Sequence, residues 1–148
     1  MGHKAEDVEQ AIIDVLKADA WLGSTANVKL IDRYDGRFNT EDAGSALTGL
    51  PGLFVAFAFD RNIPVTTGKT YKQRSQFNVV VAVNDQSGKF KAKQTALDIT
   101  QRVHDLLHLN ELGLAGVYPG LEREGRLPQI INKFLAVYEM TFNIEWVA

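Results

Sequence analysis

Cysteine is absent from the 148 residues, and several other signals of a familiar function are missing with it. Without a thiol the chain forms no disulfide, no thiolate metal site and no cysteine nucleophile, and redox chemistry does not indicate its compartment. No apolar run approaches the roughly 20 residues of a membrane span, and the opening "MGHKAEDVEQ" lacks the apolar core of a signal peptide. The sequence therefore predicts a soluble intracellular protein that is not secreted by a signal peptide.

A strong charge of either sign is also missing, because 16 lysines and arginines nearly balance 18 acidic residues. The net charge of −2 gives no global basic field, so contact with nucleic acid would have to rest on a local patch. A composition of 45% hydrophobic and 23% charged residues is that of an ordinary globular protein. We expect a single domain over residues 1–148, with a long loop at about 35–52 and a protruding hairpin at about 60–74.

Two segments, at about 4–18 and 91–109, carry apolar residues at helical spacing, and each is predicted to be an amphipathic helix. Gly23 and Gly113 follow them, as is common beyond helix ends. Between positions 6 and 19 five acidic residues stand against one lysine, which gives the first helix a local charge of −4. This helix is therefore predicted to bury one side and to present an acidic outer side.

Four further segments have strand character, and a fifth, "GVYPGLEREGRLPQIIN", is so rich in turn residues that it allows at most one short strand. The four are "NVKLIDRY", "LFVAFAFD", "QFNVVVAVN" and the closing "FLAVYEMTFNIEW". The order α-β-β-β-α-β-β predicts an α+β fold in which two helices pack on an antiparallel or mixed sheet. In "LFVAFAFD" the face with Ala56 and Ala58 is small, which favours the close approach of a helix on that face.

The closing strand is unusually long, with alternating side chains over residues 134–146. Thirteen residues would span about 43 Å, whereas the usual strand has about 5–6 residues. Either the extra length pairs with a neighbouring subunit, or the strand is bent or bulged within one subunit. Under the first interpretation the contact residues on its apolar face are Tyr138, Met140, Phe142 and Trp146.

Candidate catalytic and metal sites are weak. His104 and His108 are four residues apart, but Asp105 stands where the zinc-protease helix has glutamate, and no third histidine lies near. A histidine pair at the edge of an apolar stripe favours a structural role. "DAGSALTG" lacks the Gly-x-Ser-x-Gly turn, and "GKT" lacks the glycine spacing of a phosphate-binding loop. We expect no enzymatic activity, no cofactor and no bound metal.

A basic cluster lies on the predicted hairpin. Arg61, Lys69, Lys72 and Arg74 stand against Asp60 alone, a local charge of +3. One interpretation is a solvated edge that resists aggregation. The other is a binding patch that faces an acidic neighbour, such as the first helix of another copy, or phosphate.

The order of the elements and five segments together carry a resemblance to a known family: "AIIDVLKAD", "LFVAFAFD", "FNVVVAVND", "ALDITQRVHDLLH" and "FLAVYEMTFNIEW". Over nearly its full length the chain resembles the small tail proteins of Mu-like phages and prophages, a group related to tail terminators. The resemblance implies a tail-terminator-like fold and a ring, commonly of six copies, that caps or completes the tail tube and joins it to the head without catalysis or cofactor.

The same resemblance implies the partners and the location. The partners would be further copies of the chain, the tail tube protein and head–tail connector proteins; DNA would be a partner only if it passes through the ring, and no membrane is involved. The protein would assemble in the bacterial cytoplasm and then reside in the virion tail. The alternative function is a small nucleic-acid-binding or regulatory module that uses the basic hairpin.

Overall fold

The computed structural model describes residues 5–34, 50–64, 71–84, 89–114, 120–131 and 135–147, which form two helices and a five-stranded sheet. The helices are α1 (Ala5–Ala18) and α2 (Lys89–Leu107), and the strands are β1 (Leu30–Arg33), β2 (Gly52–Pro64), β3 (Tyr71–Asn84), β4 (Glu122–Ile131) and β5 (Leu135–Val147). The predicted order and the α+β class are confirmed. Most of the predicted loop (residues 35–49) and Lys69 lie outside the described residues.

The sheet is mixed, in the spatial order β1-β2-β3-β5-β4. β1 runs parallel to β2, and the other three pairs are antiparallel. β2, β3 and β5 are therefore the inner strands, because each has a neighbour on both sides. No helix in the described part of the chain combines the length and the apolarity that crossing a bilayer requires.

Both helices pack on one face of the sheet and enclose the main core with it. α1 contributes four buried residues, Val8, Ile12, Ile13 and Leu16. α2 contributes Ala96, Ile99, Val103 and Leu107. On the sheet side the core takes every second residue of β3 from Phe77 to Val83 and of β5 from Ala136 to Ile144, as the alternation of a half-buried strand requires.

The expectation that a helix approaches the small face of β2 is wrong. Leu53 and Val55, from the bulkier face, join the core beneath the helices. Phe54 lies on the opposite face in a smaller apolar cluster, and Ala58 is exposed. The larger side chains fill the space between the sheet and the helices. The apolar volume that they bury therefore decides which face of β2 points to the helices, and the closer approach that a small face would allow matters less.

β5 has 13 residues, but its length is used inside the subunit. β3, with 14 residues, pairs with all of it, from Asn84 opposite Leu135 to Lys72 opposite Val147. The register shifts fall on β4 and β2, and the β3–β5 register runs without a shift. A second subunit is therefore not needed to explain the length of β5, and neither is a bulge in the strand itself.

The connection that follows α2 is held in an uncommon backbone conformation. Leu109 and Leu112 have φ of 64° and 60°, and Gly120 has φ of 107°. The Leu109 N–H donates to the Leu121 carbonyl, and the Leu121 N–H donates to the Asn110 carbonyl at 2.9 Å. These bonds fix the end of α2 against the start of β4.

We expect the Gly120→Ala substitution to destabilise the subunit by about 1–3 kcal/mol, because a side chain rarely adopts this φ. A Cβ at this position would also lie 2.6 Å from the Asn110 carbonyl carbon and oxygen. Urea unfolding measures the change in free energy. Gly125→Ala is the matched control, since its Cβ would meet nothing within 4 Å. Equal stability of the two variants would contradict the prediction.

Candidate assembly surface

The residues predicted to make contacts fall into two groups. Tyr138, Met140 and Phe142 are 4%, 0% and 0% exposed and lie in the main core. Their burial assigns them to the packing of the subunit, so they do not offer a surface to a second molecule. The four others on described strands, Arg61, Lys72, Arg74 and Trp146, lie together at one end of the sheet. Of these, only the side chain of Arg74 belongs to the described part of the structure.

At that end the inner strands continue past their outer neighbours. β1 ends at Arg33, opposite Val55 of β2, and β4 begins at Glu122, opposite Asn143 of β5. Beyond both points β2, β3 and β5 pair alone over four rungs, which we call the extension. The rungs are Asp60–Ser75–Ile144, Arg61–Arg74–Glu145, Asn62–Gln73–Trp146 and Ile63–Lys72–Val147. On these rungs neither β1 nor β4 covers an outer side of the three strands.

A side chain of α1 binds the β2 edge just beyond the point where β1 stops pairing with it. The Tyr34 N–H donates to the Val55 carbonyl at 2.9 Å, and beyond it the Phe57 N–H donates to Glu9 Oε2 at 2.9 Å. Glu9 Oε1 also accepts from Arg33 Nε at 3.3 Å. A carboxylate therefore takes the donor that a longer β1 would have taken, and after Phe57 the β2 edge is open with respect to the described residues.

A polar crevice of about 50 Å³ lies beside the other edge of the extension. Its lining residues come from β3, β4 and β5 and from the residue before Leu121: Arg74, Gly120, Glu122, Asn143 and Glu145. Asn143 is only 6% exposed, and its buried Nδ2 has no hydrogen-bond partner among the described groups. An unsatisfied buried amide costs about 1–3 kcal/mol, so an acceptor brought here by another molecule would be favourable.

Part of the charge of both predicted clusters is compensated within the subunit. Arg74 Nη2 lies 3.5 Å from Glu124 Oε1, and Arg102 Nε lies 3.4 Å from Oδ2 of Asp19, which follows α1. The pKa of Asp19 is lowered first by the hydrogen bond from the Leu22 backbone N–H and also by the charge of Arg102. Exposed pairs of this kind contribute about 0–1 kcal/mol each, so they reduce the long-range fields of the clusters more than they stabilise the fold.

The histidine pair has a structural arrangement. The two rings stack with centroids 4.9 Å apart, and His108 Nδ1 accepts from the Arg123 backbone N–H at 3.3 Å. Burial lowers the pKa of His104 from its usual 6.5, and the positive charge of Arg123 adds to this effect. No group of three or more potential ligands for a metal ion exists among the residues that the structure describes.

We expect the subunit to lose stability as the pH falls through the range just below 6.5, because the unfolded chain then binds a proton that the folded His104 resists. The His104→Gln variant should show a shallower dependence of unfolding free energy on pH between about pH 7 and 5. Urea unfolding at several pH values measures it. An NMR titration that gives His104 a pKa above 6.5 would contradict this account.

A family model described as "Bacteriophage Mu, Gp37" matches residues 5–147, which include both helices and all five strands. The chain belongs to the bacteriophage Mu Gp37 family. This membership confirms the resemblance to small tail proteins of Mu-like phages. The matched residues include those of the extension and of the crevice beside it.

A chain in the solved structure described as "Virion of native gene transfer agent (GTA) particle" has a similar fold, with a TM-score of 0.64. The two chains are 16% identical, and the match covers 95% of each. At this identity the likeness concerns the fold alone. No curated protein matches the sequence.

Proposed function

We propose that the subunit forms a ring that caps or completes a phage tail tube and joins the tail to the head. Membership of the Gp37 family supports a role in the tail. The observation that carries the ring is the extension, because its two outer edges belong to different strands, β2 and β5. Two different surfaces on one subunit are what a head-to-tail contact needs, and such a contact closes into a ring when its rotation allows.

The role is structural in this proposal. The side chains that line the crevice are an arginine, an amide and two carboxylates, which suit hydrogen bonds and ion pairs between proteins. The partners are further copies of the chain, the tail tube protein and head–tail connector proteins, and six copies is the number that the resemblance implies.

The basic hairpin gives less support to a nucleic-acid-binding module. Arg74 lies 3.5 Å from Glu124, and Glu122 and Glu145 line the crevice with it. Phosphate is bound by clusters of cations, and adjacent carboxylates repel it. The described part of this surface therefore has mixed charge and fits another protein better than a phosphate backbone.

We expect the purified protein to sediment as a ring, with a mass near six times the 16.4 kDa chain, at the concentrations reached in assembling particles. Deleting its gene from the phage or prophage that carries it should leave heads and tails that do not join. Adding the purified protein to the deletion lysate should restore joined particles, counted by electron microscopy. Normal particles without the gene, or a subunit that stays monomeric even with isolated tails, would overturn the proposal.

A further inference from the structure

We infer that the ring is held by strand pairing across the extension, in which the β2 edge of one copy, Asp60–Ile63, pairs with the β5 edge of the next, Ile144–Val147. The inference rests on the ring proposed above and names its contact. Strand addition to an open edge supplies backbone hydrogen bonds and fixes the direction of the two partners. Each copy offers one edge of each kind, so the same contact repeats from copy to copy.

The two edges lie on the same four rungs. Through β3, Asp60 is level with Ile144, and Ile63 is level with Val147. β2 and β5 are both antiparallel to β3, so they run in the same direction. A neighbour in the same orientation therefore sets its β2 parallel to this β5, and the three-stranded sheets join into a continuous one around the ring.

Other edges of the sheet are poorly suited to the same contact. β4 has Pro128, which lacks an N–H, and two register shifts that interrupt its outer edge. β1 has four residues, and the Arg33 N–H donates to Asp32 Oδ1 at 2.7 Å. Glu9 takes the Phe57 N–H at the start of the open β2 edge. Among the strands that the structure describes, these features oppose pairing on β1 and β4, the first part of β2 is already paired with β1, and the extension is left as the place for a partner strand.

Charge and hydrogen-bonding capacity agree with this partner. Arg61 and Glu145 occupy opposite edges of one rung, so the contact brings the arginine position of one copy beside the glutamate position of the next. The Asn143 amide, with its unsatisfied Nδ2, lies one residue before the β5 edge. A strand laid along Ile144–Val147 brings hydrogen-bond acceptors to the mouth of this crevice.

Because the chain has no cysteine, two introduced cysteines report this contact without background. We expect the Arg61→Cys/Glu145→Cys double variant to give, on mild oxidation, a ladder of covalent multimers on a non-reducing gel that ends at the ring and collapses on reduction. Adjacent strands have the Cα separation that a disulfide needs. A bismaleimide that reaches the diagonal neighbours, about 7–8 Å apart, covers a register shift of two residues.

Two controls separate this contact from others. Arg61→Cys/Glu139→Cys should give no ladder, because Glu139 lies on the same strand and face as Glu145 but opposite Leu127 of β4. Arg61→Cys alone should give no covalent dimer. A dimer from this single variant means that two β2 edges meet in a two-fold contact, and it overturns the inference.

Hydrogen exchange on the unaltered protein gives a second test that does not depend on the variants. Amides of Asp60–Ile63 and Ile144–Val147 should exchange more slowly in the ring than in the diluted monomer, and those of β4 should change little. A ring that forms without this protection and without a ladder overturns the strand contact while the proposed function stands. A wild-type protein that never forms a ring overturns both.

Discussion

The uninterrupted pairing of β3 with β5 is the constraint on which the rest of the structure depends. Thirteen residue pairs hold these strands in one register, and every other element is placed relative to them. α2 packs on one face of the pair, α1 packs on β1 and β2 on the same side of the sheet, and β2 and β4 lie beside the pair. A slip of one residue would turn Phe77 and Phe142 away from the helices and bring polar neighbours into the core, so the buried face fixes the register strongly. At one end of the sheet the pair continues beyond the last residues of β1 and β4, and this difference in length produces the extension.

Along this pair the second face of the sheet changes character. Near the start of β5, Val137 packs with Val80 and Ala82 in the smaller apolar cluster. Towards the extension the same face presents Arg74, Asn143 and Glu145, which line the crevice. One end of the sheet is thus buried on both faces, while the other has one buried face and one polar face. At the polar end Ser75 and Ile144 are still buried on the helix side. This end therefore forms ordered strand although no helix covers its other face among the described residues, and that polar face stays available for contacts.

Local patterns predicted the elements and the pairing of β2 with β3 well, and the strand boundaries and long-range contacts poorly. Apolar spacing identified both helices, and alternation identified β5 with its length. β3 was expected to start near Gln76 but begins at Tyr71, because its first residues are polar and are held in strand by β2 and β5 on either side. β4 is a ten-residue strand in spite of Gly125 and Pro128, since an edge strand tolerates a missing N–H. No pattern within either segment relates Glu9 to Phe57, 48 residues away, although their hydrogen bond sets where the open β2 edge begins.

The assembly surface was hidden from sequence reasoning for a related reason. Alternating apolar residues on β5 suggested a contact made by side chains, and Tyr138, Met140 and Phe142 proved to be core residues because α2 covers that face. An edge made of backbone groups leaves no side-chain motif, since any residue other than proline supplies one N–H and one carbonyl. What marks such an edge is the point where neighbouring strands stop: Arg33 for β1, with Glu9 placed just beyond it, and Glu122 for β4. Strand ends of this kind depend on tertiary pairing, so they become visible only when the lengths of paired strands are compared.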